Sequence, residues 1–584
     1  MKKIFKSLAW GLVAAMTLSS TACHDFDKLN TDPTTVSEEL IEPMNIATLA
    51  ILRSTMGTDM WQRVINVGCD MQSQYFCNVQ FSPNTCVPDD SYTEGFWNNT
   101  WTWVANLNRT IEMCERRDPD AKDPQLQNIK QLCRIWRTWV YSRLTDYIGD
   151  IPYSQACSPL YAQPAYDTQK DIYYDLVKEL SEASAAIDVN AHCTIAAYDV
   201  VFKGDWAKWR QLANTLHLRF AMRMTEADPE KAKLEAEKAV AAPGGFLTEN
   251  MAIYRAQNYF TTTVGYNFYY PRARWADSEH TMSTSMEKIL TNLGGVPVEM
   301  KDYYQEEYVP KFADPRALIM YNVTSAGTGA GFARHRDPVT KKWIYDADYR
   351  GRWRGVKPGL TPAVAAQKDN LFSNSPHLGV FFFATDPTPP VDKIPTKNYD
   401  QDYVQIYANE SYFLRAEGAL RGWNMGGTAE DFYYQGIRMS MAAYGSLIKN
   451  TDIESYLTST MKNQLGTSVP FNDSEGDDLS GNRNSKLMKI MTQKYIAGYP
   501  DGSYEAWNDY HRTGMPVLDP FEMATPGFVE EVKAPDFKGS LRRFIYPQVE
   551  QNLNRDNYNK VSARIGGDKT TTRMWWDART TLVE

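Results

Sequence analysis

The sequence lacks the features of several common functional classes. Past an N-terminal leader, no apolar run approaches the ~18 residues that a membrane-spanning helix needs, so the mature chain is not predicted to cross a membrane. The sequence contains no basic stripe. It is acidic overall, with 62 Lys and Arg, 71 Asp and Glu and a formal net charge of −9. An acidic balance of this kind argues against nucleic acid as a partner.

Metal, cofactor and catalytic motifs are also missing. The seven His are dispersed and no His-Glu-x-x-His occurs, so no metal site and no cofactor is predicted. The segment Ala326–Phe332 mimics a phosphate loop but has Phe332 where a dinucleotide fingerprint needs Gly. Asn472–Asp478 gathers four acidic residues with Gly476 misplaced for an EF-hand, which favours a solvated loop over a calcium site. No glycosidase carboxylate pair can be nominated without geometry.

Cysteine is scarce, with eight residues in 584. Seven remain after Cys23, and none of them forms a Cys-x-x-Cys pair, so neither a disulfide framework nor a zinc site is indicated. We favour buried free thiols. One bridge among Cys69, Cys77 and Cys86 is the alternative.

The N-terminus carries an export signal. Met1–Ala22 has a basic start and an apolar run, and Leu18–Cys23 resembles a bacterial lipoprotein cleavage box, although Ser20 stands where Leu is usual. We predict a signal peptide at 1–22, lipid anchoring through Cys23 and a polar tether at 23–37; ordinary cleavage nearby is the alternative. Asp25 and Asp27 resemble surface-export signals of Bacteroidetes lipoproteins, which implies the cell surface of the outer membrane.

Apolar residues recur at helical spacing through most of the mature chain. The predicted helical segments lie near 36–56, 60–78, 94–117, 124–148, 168–188, 205–226, 401–464 and 485–514. Asp123 and Asp205 are predicted helix caps, and Gly149 with Pro152 is predicted to end the fourth helix. A clear apolar stripe is formed by Leu212, Leu216, Phe220 and Met224. Within them, Asp402–Gly445 reads as two helices joined at Asn424–Gly427, with Ile406, Phe413, Ala416 and Leu420 on the first. The sequence predicts a mainly α fold, a tetratricopeptide-like scaffold of helical pairs with minor short strands.

The middle of the chain differs from its flanks. Between 242 and 400, Pro, Gly, aromatic and Arg residues crowd together, helical stripes become rare apart from one near 279–293, and Leu378–Phe383 is β-prone. We expect this irregular region to face ligand. The predicted organisation is one body over 38–584. It consists of helical pairs at 38–241, the irregular region at 242–400, further pairs at 401–515 and a loop-rich closing tail at 516–584. We expect Met574–Trp576 to pack the tail back across the body.

Aromatic residues exceed what a core needs, with 16 Trp and 35 Tyr. A site that binds its ligand by stacking needs ring faces and a few fork-shaped polar groups, and three stretches combine them: Tyr75–Trp103, Tyr266–Trp275 and, more weakly, Trp343–Trp353. The alternative for each ring is packing, which we expect for Trp101 and weigh equally for Trp97. The predicted ligand-binding residues are Tyr75, Trp97, Asn98, Tyr266, Asn267, Tyr269, Tyr270, Arg272, Trp275 and Trp353.

Several stretches together resemble the SusD/RagB family of surface nutrient-binding lipoproteins. They are Leu144–Tyr153, Trp206–Arg223, Asp314–Arg316, the hairpin Asp402–Gly445, Gln493–Gly502 with Glu505–Gly514, and Arg542–Pro547 followed by Glu550, Asn554, Asn557 and Tyr558. They are spread in order over most of the mature chain, so the combination is specific although each piece is short.

The resemblance implies a tetratricopeptide-like body, a lipid anchor, no catalysis, and a lid-like partnership with a SusC-like TonB-dependent transporter. It also implies a glycan ligand, or a peptide in some members. We therefore predict a non-catalytic, cell-surface glycan-binding lipoprotein that delivers oligosaccharide to such a transporter. The alternatives are a peptide-binding member of the same architecture, a glycan hydrolase, and a tetratricopeptide scaffold for protein assembly.

Overall fold

The computed structural model describes residues 41–57, 59–78, 85–253, 280–300, 309–322, 352–365, 375–382, 403–523 and 540–579, the strands 334–336 and 343–345, and residues 339, 525 and 583. These residues are mainly helical, as predicted. The helices are Pro43–Met56, the π-type Asp59–Cys69, Asp70–Gln72, Asp90–Arg117, Pro124–Ile148, Gln169–Ala186, Trp206–Arg223, Pro229–Ala241, Thr284–Leu290, Ala317–Met320, Pro362–Ala365, Asn409–Leu420, Ala429–Ala442, Asn450–Thr458, Lys486–Ala497, Ser503–Thr513, Gln548–Leu553 and Arg555–Arg564.

Local sequence signals set the ends of the N-terminal helices. The Asp123 carboxylate accepts the N–H groups of Gln125 and Leu126, and Pro124 occupies the first turn, where its missing N–H costs nothing. The same helix ends at Gly149, whose φ of 108° is open to glycine. Asp205 caps the helix Trp206–Arg223 by accepting from the N–H of Lys208. Both predicted caps are confirmed.

The N-terminal helices pack in sequence, each against the next. Asp90–Arg117 lies on Pro124–Ile148, which lies on Gln169–Ala186, then Trp206–Arg223 and finally Pro229–Ala241. The connections 118–123 and 224–228 are short, as is usual between antiparallel neighbours, whereas 149–168 and 187–205 are longer. The predicted stripe of Leu212, Leu216, Phe220 and Met224 is buried throughout, which confirms it. The helix Pro229–Ala241 was not predicted.

The second set of pairs contains the predicted hairpin. Helix Asn409–Leu420 packs against Ala429–Ala442 and against Lys486–Ala497. Gly436 permits the close approach, because a Cβ at that position would lie 2.7 Å from the Phe413 ring. The placement of Ile406 on the first helix was wrong: it lies in the strand Tyr403–Ile406, which pairs antiparallel with Met251–Ile253.

Short strands hold the irregular middle together. The strands are Phe76–Cys77, Met251–Ile253, Thr281–Met282, Thr291–Pro297, Phe312–Ala313, Tyr321–Asn322, Arg334–Arg336, Trp343–Tyr345, His377–Leu378 and Tyr403–Ile406. Four of them form one sheet in the order Phe76–Cys77, Thr281–Met282, His377–Leu378 and Tyr321–Asn322. The sheet therefore joins the segment between helices Asp70–Gln72 and Asp90–Arg117 to the middle region. The β-prone run beginning at Leu378 gives a strand followed by a 3-10 turn at Val380–Phe382.

The buried apolar residues form two large clusters, one around the N-terminal helices and one around the middle region and later helices. Buried ion pairs connect the helix Ser503–Thr513, which contributes to both clusters, to helices of the second cluster. Arg512 binds both oxygens of Glu417 at 2.7 and 2.8 Å, and Lys494 reaches Asp509 at 2.5 Å. Such pairs need full hydrogen bonding to offset the loss of hydration.

The tail packs back as predicted. Trp576 is fully buried, and its Nε1–H donates to Asp146 at 2.9 Å. The tail also contains helices Gln548–Leu553 and Arg555–Arg564 where a loop-rich segment was expected.

The seven cysteines beyond Cys23 are free thiols, as favoured, with Cys69, Cys77, Cys86, Cys114 and Cys133 buried. The described helices include none that is both long and apolar enough to cross a membrane.

Candidate functional site

An open cleft of ≈500 Å³ lies beside the helix Thr284–Leu290. Its volume falls in the range of about 300–1,000 Å³ that small-molecule sites occupy. The lining combines one large ring with charged and amide side chains. It consists of Glu287, Thr291, Val309, Pro310, Arg352, Trp353, Arg354 and Gln464.

One wall of the cleft begins at a helix cap. The Ser283 side chain accepts from the N–H of Met286 and so starts the helix that carries Glu287. Val356 docks directly on this cap, since its N–H donates to the carbonyl of Met282 at 2.8 Å and its carbonyl accepts from the N–H of Thr284 at 3.0 Å. These backbone bonds fix the 352–356 segment against the helix.

Gly355 makes that docking possible. A Cβ at this position would overlap the carbonyl group of Ser283, so only glycine fits where the two backbones meet. The Gly355 N–H then donates to Glu287 Oε2 at 2.8 Å, and the Trp353 Nε1–H donates to Thr291 Oγ1 at 2.8 Å. Trp353 and Glu287 are therefore held in place before any ligand arrives.

Further lining residues come from the strand Thr291–Pro297, which directly follows the helix, and from a distant loop. Gly294 has a φ of 72°, and a Cβ there would overlap the Tyr456 ring, so the strand turns closely over that ring. The N–H of Gln464 donates to the carbonyl of Lys288 at 3.1 Å, which ties the loop to the helix and leaves the Gln464 side chain exposed.

The polar groups of the cleft differ in electrostatic setting. Burial raises the pKa of the Glu287 carboxyl, while the Gly355 N–H and the nearby charge of Arg354 oppose that rise. Arg354 is exposed and Arg352 is half-buried. The cleft lining thus combines two guanidinium groups, a carboxylate and an amide with one largely buried indole ring. Hydroxyl-rich ligands need donors and acceptors of both kinds.

The structure brings only one predicted ring to this cleft. Trp353 lines it while being 7 % exposed, so it acts as a wall and offers no open stacking face. Tyr75 is fully buried; its hydroxyl donates to the carbonyl of Tyr495, and its ring lies 5.5 Å from that of Tyr499. Trp97 is 2 % exposed and packs edge-on against Trp101 at 5.1 Å. The prediction of Tyr75 and Trp97 as ligand-facing rings is wrong for this conformation, because both rings are consumed by packing.

The remaining predicted residues lie elsewhere. Asn98 is exposed on the helix Asp90–Arg117 and does not line the cleft. Tyr266, Asn267, Tyr269, Tyr270, Arg272 and Trp275 lie outside the described residues, as does Cys23. Glu287, Thr291 and Gln464 were not predicted. The Ser283 cap marks the start of the helix bearing Glu287, but no sequence signal connects Gln464 to it.

A second cavity, of ≈40 Å³, lies deeper among paired charges. Arg219 binds Glu410, and Lys494 lies between Glu410 at 3.3 Å and Asp509 at 2.5 Å. Each carboxylate therefore has a basic partner, which favours a structural role. Among the residues that the structure describes, no group of His, Cys, Asp and Glu is arranged to hold a metal ion.

Two family models match the chain. Residues 37–297 match the model described as starch-binding, associating with the outer membrane. Residues 391–577 match the model described as the SusD and RagB outer-membrane lipoprotein. No curated protein matches the chain significantly.

Solved structures share the fold over nearly the whole chain. A SusD homologue from Parabacteroides distasonis is 26% identical, with a TM-score of 0.77 over 93% of this chain and 100% of its own. A chitin-binding SusD homologue from Flavobacterium johnsoniae is 25% identical, with a TM-score of 0.67 over 92% and 100%. A SusD homologue from Bacteroides uniformis is 22% identical, with a TM-score of 0.68 over 92% and 100%, a likeness that concerns the fold alone.

Proposed function

The chain belongs to the SusD/RagB family of outer-membrane lipoproteins, and from that premise we propose that it is a non-catalytic protein that captures an oligosaccharide in the cleft beside Trp353. The observation that carries the proposal is the composition of this cleft, whose volume is ≈500 Å³. Its lining contains an indole ring, two guanidinium groups, a carboxylate and an amide. Few but well-placed polar groups around an apolar wall are typical of small-molecule sites.

The cleft suits capture and release. Its walls are fixed by the backbone bonds of Val356 and the side-chain bond of Trp353, so little ordering is needed on binding. Its mouth is open and several polar groups are exposed, which favours modest affinity over burial of the whole ligand. Modest affinity fits a protein that hands its ligand on.

The family relation supports the rest of the proposal. We infer lipid anchoring through Cys23 at the cell surface of the outer membrane and delivery of the captured sugar to a SusC-like TonB-dependent transporter. The body is proposed as one unit over 38–584, with its irregular part at 242–400 toward the ligand. The chitin-binding homologue supports a glycan as the ligand class.

Calorimetric titration tests the binding proposal. A panel of neutral and charged oligosaccharides, with a peptide panel beside it, is titrated into the wild type and into Gln464→Ala and Glu287→Gln. Each change removes one polar partner from the cleft, so affinity for the bound sugar should fall by roughly two- to tenfold. Lys357→Gln is the matched control, since Lys357 is exposed and pairs with Glu522 at 3.3 Å away from the cleft lining.

Three results would overturn the proposal. Binding of peptides in preference to sugars would assign the other ligand class. New reducing ends after incubation with polysaccharide would show catalysis. Sugar binding that is unchanged in both cleft variants would place the ligand elsewhere on the protein.

A further inference from the structure

Gln464 reaches the cleft on a short irregular segment, residues 463–468. Each amide N–H of this segment donates to an acceptor, although the segment belongs to no helix or strand. Its first residue ties it to the helix Thr284–Leu290, because the Asn463 Nδ2 group donates to the carbonyl of Ile289 at 3.2 Å. Bonds of this kind offset the conformational entropy that an irregular segment loses when it is ordered.

At its other end the segment is bound by a buried lysine. Lys489 lies in the helix Lys486–Ala497 and is fully buried. Its Nζ donates to the carbonyl and the hydroxyl of Ser468 at 2.9 and 2.6 Å and to Oδ1 of Asn484 at 2.8 Å. The same Asn484 oxygen accepts the Ser468 N–H at 2.9 Å. The three N–H donors of the ammonium group thus match three acceptors, two of which belong to Ser468.

The contacts of this ammonium group are neutral. No carboxylate binds it within the part of the chain that the structure describes. Burial lowers the pKa of Lys489 to about 7. The charges of Asp473 and Glu475 oppose that fall, whereas the charge of Lys462 adds to it. The Ser468 hydroxyl itself donates to Asp473 at 2.7 Å, so the lysine reaches this acid only through the segment.

Loss of the ammonium group would be felt at Gln464. An apolar side chain at position 489 would leave the Ser468 carbonyl buried without a donor, and the segment could satisfy that carbonyl only by moving toward water. A shift of Ser468 is passed along the turn, because the carbonyl of Thr467 accepts the Asn463 N–H at 2.9 Å. Gln464 is the lining residue that this turn supplies to the cleft.

We propose that Lys489 is a positioning residue of the cleft, whose ammonium group holds the 463–468 segment in the conformation that places Gln464 beside the helix Thr284–Leu290. This inference rests on the proposed function, because it assigns the placement of a sugar-binding group to a residue outside the cleft. It predicts two effects when the ammonium group is removed: the segment is held less firmly, and the contribution of Gln464 to sugar binding is lost.

Hydrogen exchange followed by mass spectrometry measures the first effect without any ligand. Wild type, Lys489→Met and the control Lys462→Met are compared at about pH 6, where the ammonium group of Lys489 is charged. Lys462 is the matched control, since it directly precedes the segment but is exposed and pairs with Glu475. Exchange of the amides 463–468 should be at least about tenfold faster in Lys489→Met and within about twofold of wild type in Lys462→Met.

A second variant keeps the test decisive if the melting curve shows that Lys489→Met does not fold. Ser468→Ala removes one of the three acceptors and keeps the ammonium group, so it should accelerate exchange of the same amides by a smaller factor. Exchange at 463–468 that keeps its wild-type rate in whichever variant folds overturns the inference. An equal acceleration in the helix Trp206–Arg223 also overturns it, because that would show a general loss of stability.

Calorimetry with the tightest-binding sugar of the panel measures the second effect, in a double-mutant cycle of Lys489→Met and Gln464→Ala. In the wild-type background, Lys489→Met should weaken binding by up to the roughly two- to tenfold expected of Gln464→Ala. In the Gln464→Ala background, Lys489→Met should weaken binding little further. Equal losses in both backgrounds would show that Lys489 acts by another route and would overturn the inference.

The two proposals fail in different ways. If exchange at 463–468 is faster in Lys489→Met while Gln464→Ala leaves sugar affinity unchanged, Lys489 positions the segment but the proposed sugar contact of Gln464 is wrong. If exchange is unchanged while Gln464→Ala weakens binding, the cleft captures the sugar and the role assigned to Lys489 is wrong.

Discussion

Replacing Asp314 by Asn should destabilise the protein far more than the loss of one surface charge. Arg316 is completely buried, and its Nε and Nη2 donate to the two carboxylate oxygens of Asp314 at 2.9 and 2.6 Å. Its remaining donors reach Ser440 at 3.0 Å, Gln493 at 2.8 Å and Tyr456 at 3.1 Å. Burial alone would lower the pKa of this guanidinium, but the charge of Asp314, its hydrogen bond and the nearby Tyr456 together raise that pKa above its ordinary value, so Arg316 stays charged.

The size of the effect follows from what Asn leaves behind. The substitution keeps the volume but removes the charge that balances a buried cation, which typically costs about 3–5 kcal/mol. With an unfolding entropy of about 2.1 cal/mol/K per residue over roughly 500 residues, each kcal/mol lowers the melting temperature by about 1 °C, so Asp314→Asn should melt about 3–5 °C lower.

Differential scanning calorimetry measures that shift. The control is Glu454→Gln, which removes one partner of the exposed pair with Arg438 and should leave the melting temperature nearly unchanged. An unchanged melting temperature in Asp314→Asn, or an equal fall in Glu454→Gln, would refute the reasoning that burial sets the cost.

Three further predictions follow from other contacts. The hydrogen bond from His217 holds the pKa of Glu235 at about 2, below its unfolded value of 4.5, so the stabilisation from this carboxylate is present above pH 4.5 and is lost toward pH 2. Glu235→Gln should therefore reduce the dependence of the melting temperature on pH between 2 and 4.5. An unchanged slope of melting temperature against pH would contradict this prediction. Gly355→Ala should both lower the melting temperature, because overpacking against Ser283 costs about 1–3 kcal/mol, and weaken sugar binding. A melting temperature and an affinity equal to those of the wild type would show that the close backbone contact between Gly355 and Ser283 is not needed. In native protein, a thiol reagent should modify only Cys157 and Cys193, which are not buried, so the double change Cys157→Ser with Cys193→Ser should remove the fast phase. A fast phase that persists in this variant would contradict the burial of Cys69, Cys77, Cys86, Cys114 and Cys133.

Sequence periodicity predicted the helices well because each is an amphipathic segment with a local start and stop. The cap at Asp123, the terminator at Gly149 and the stripe from Leu212 are short-range signals, and the structure confirms them. Ile406 was misplaced because its strand partner, Met251, is distant in the sequence.

The candidate site was harder to predict for the same reason. Tyr75 occurs in a ring-rich stretch, but its ring packs against Tyr495 of the helix Lys486–Ala497 and against Tyr499 just after that helix, both far along the chain. Trp353 was predicted as a ligand residue and does line the cleft, although as a wall. Gln464 reaches the cleft only through a long-range backbone bond to Lys288, which no periodicity or motif indicates.

A crystal structure of the protein with the tightest-binding oligosaccharide of the panel tests the central claim most directly. We predict the sugar in the cleft, against the Trp353 wall and within hydrogen-bond distance of Arg352, Arg354, Glu287 or Gln464. A sugar bound at another surface, with this cleft unchanged, would contradict the account.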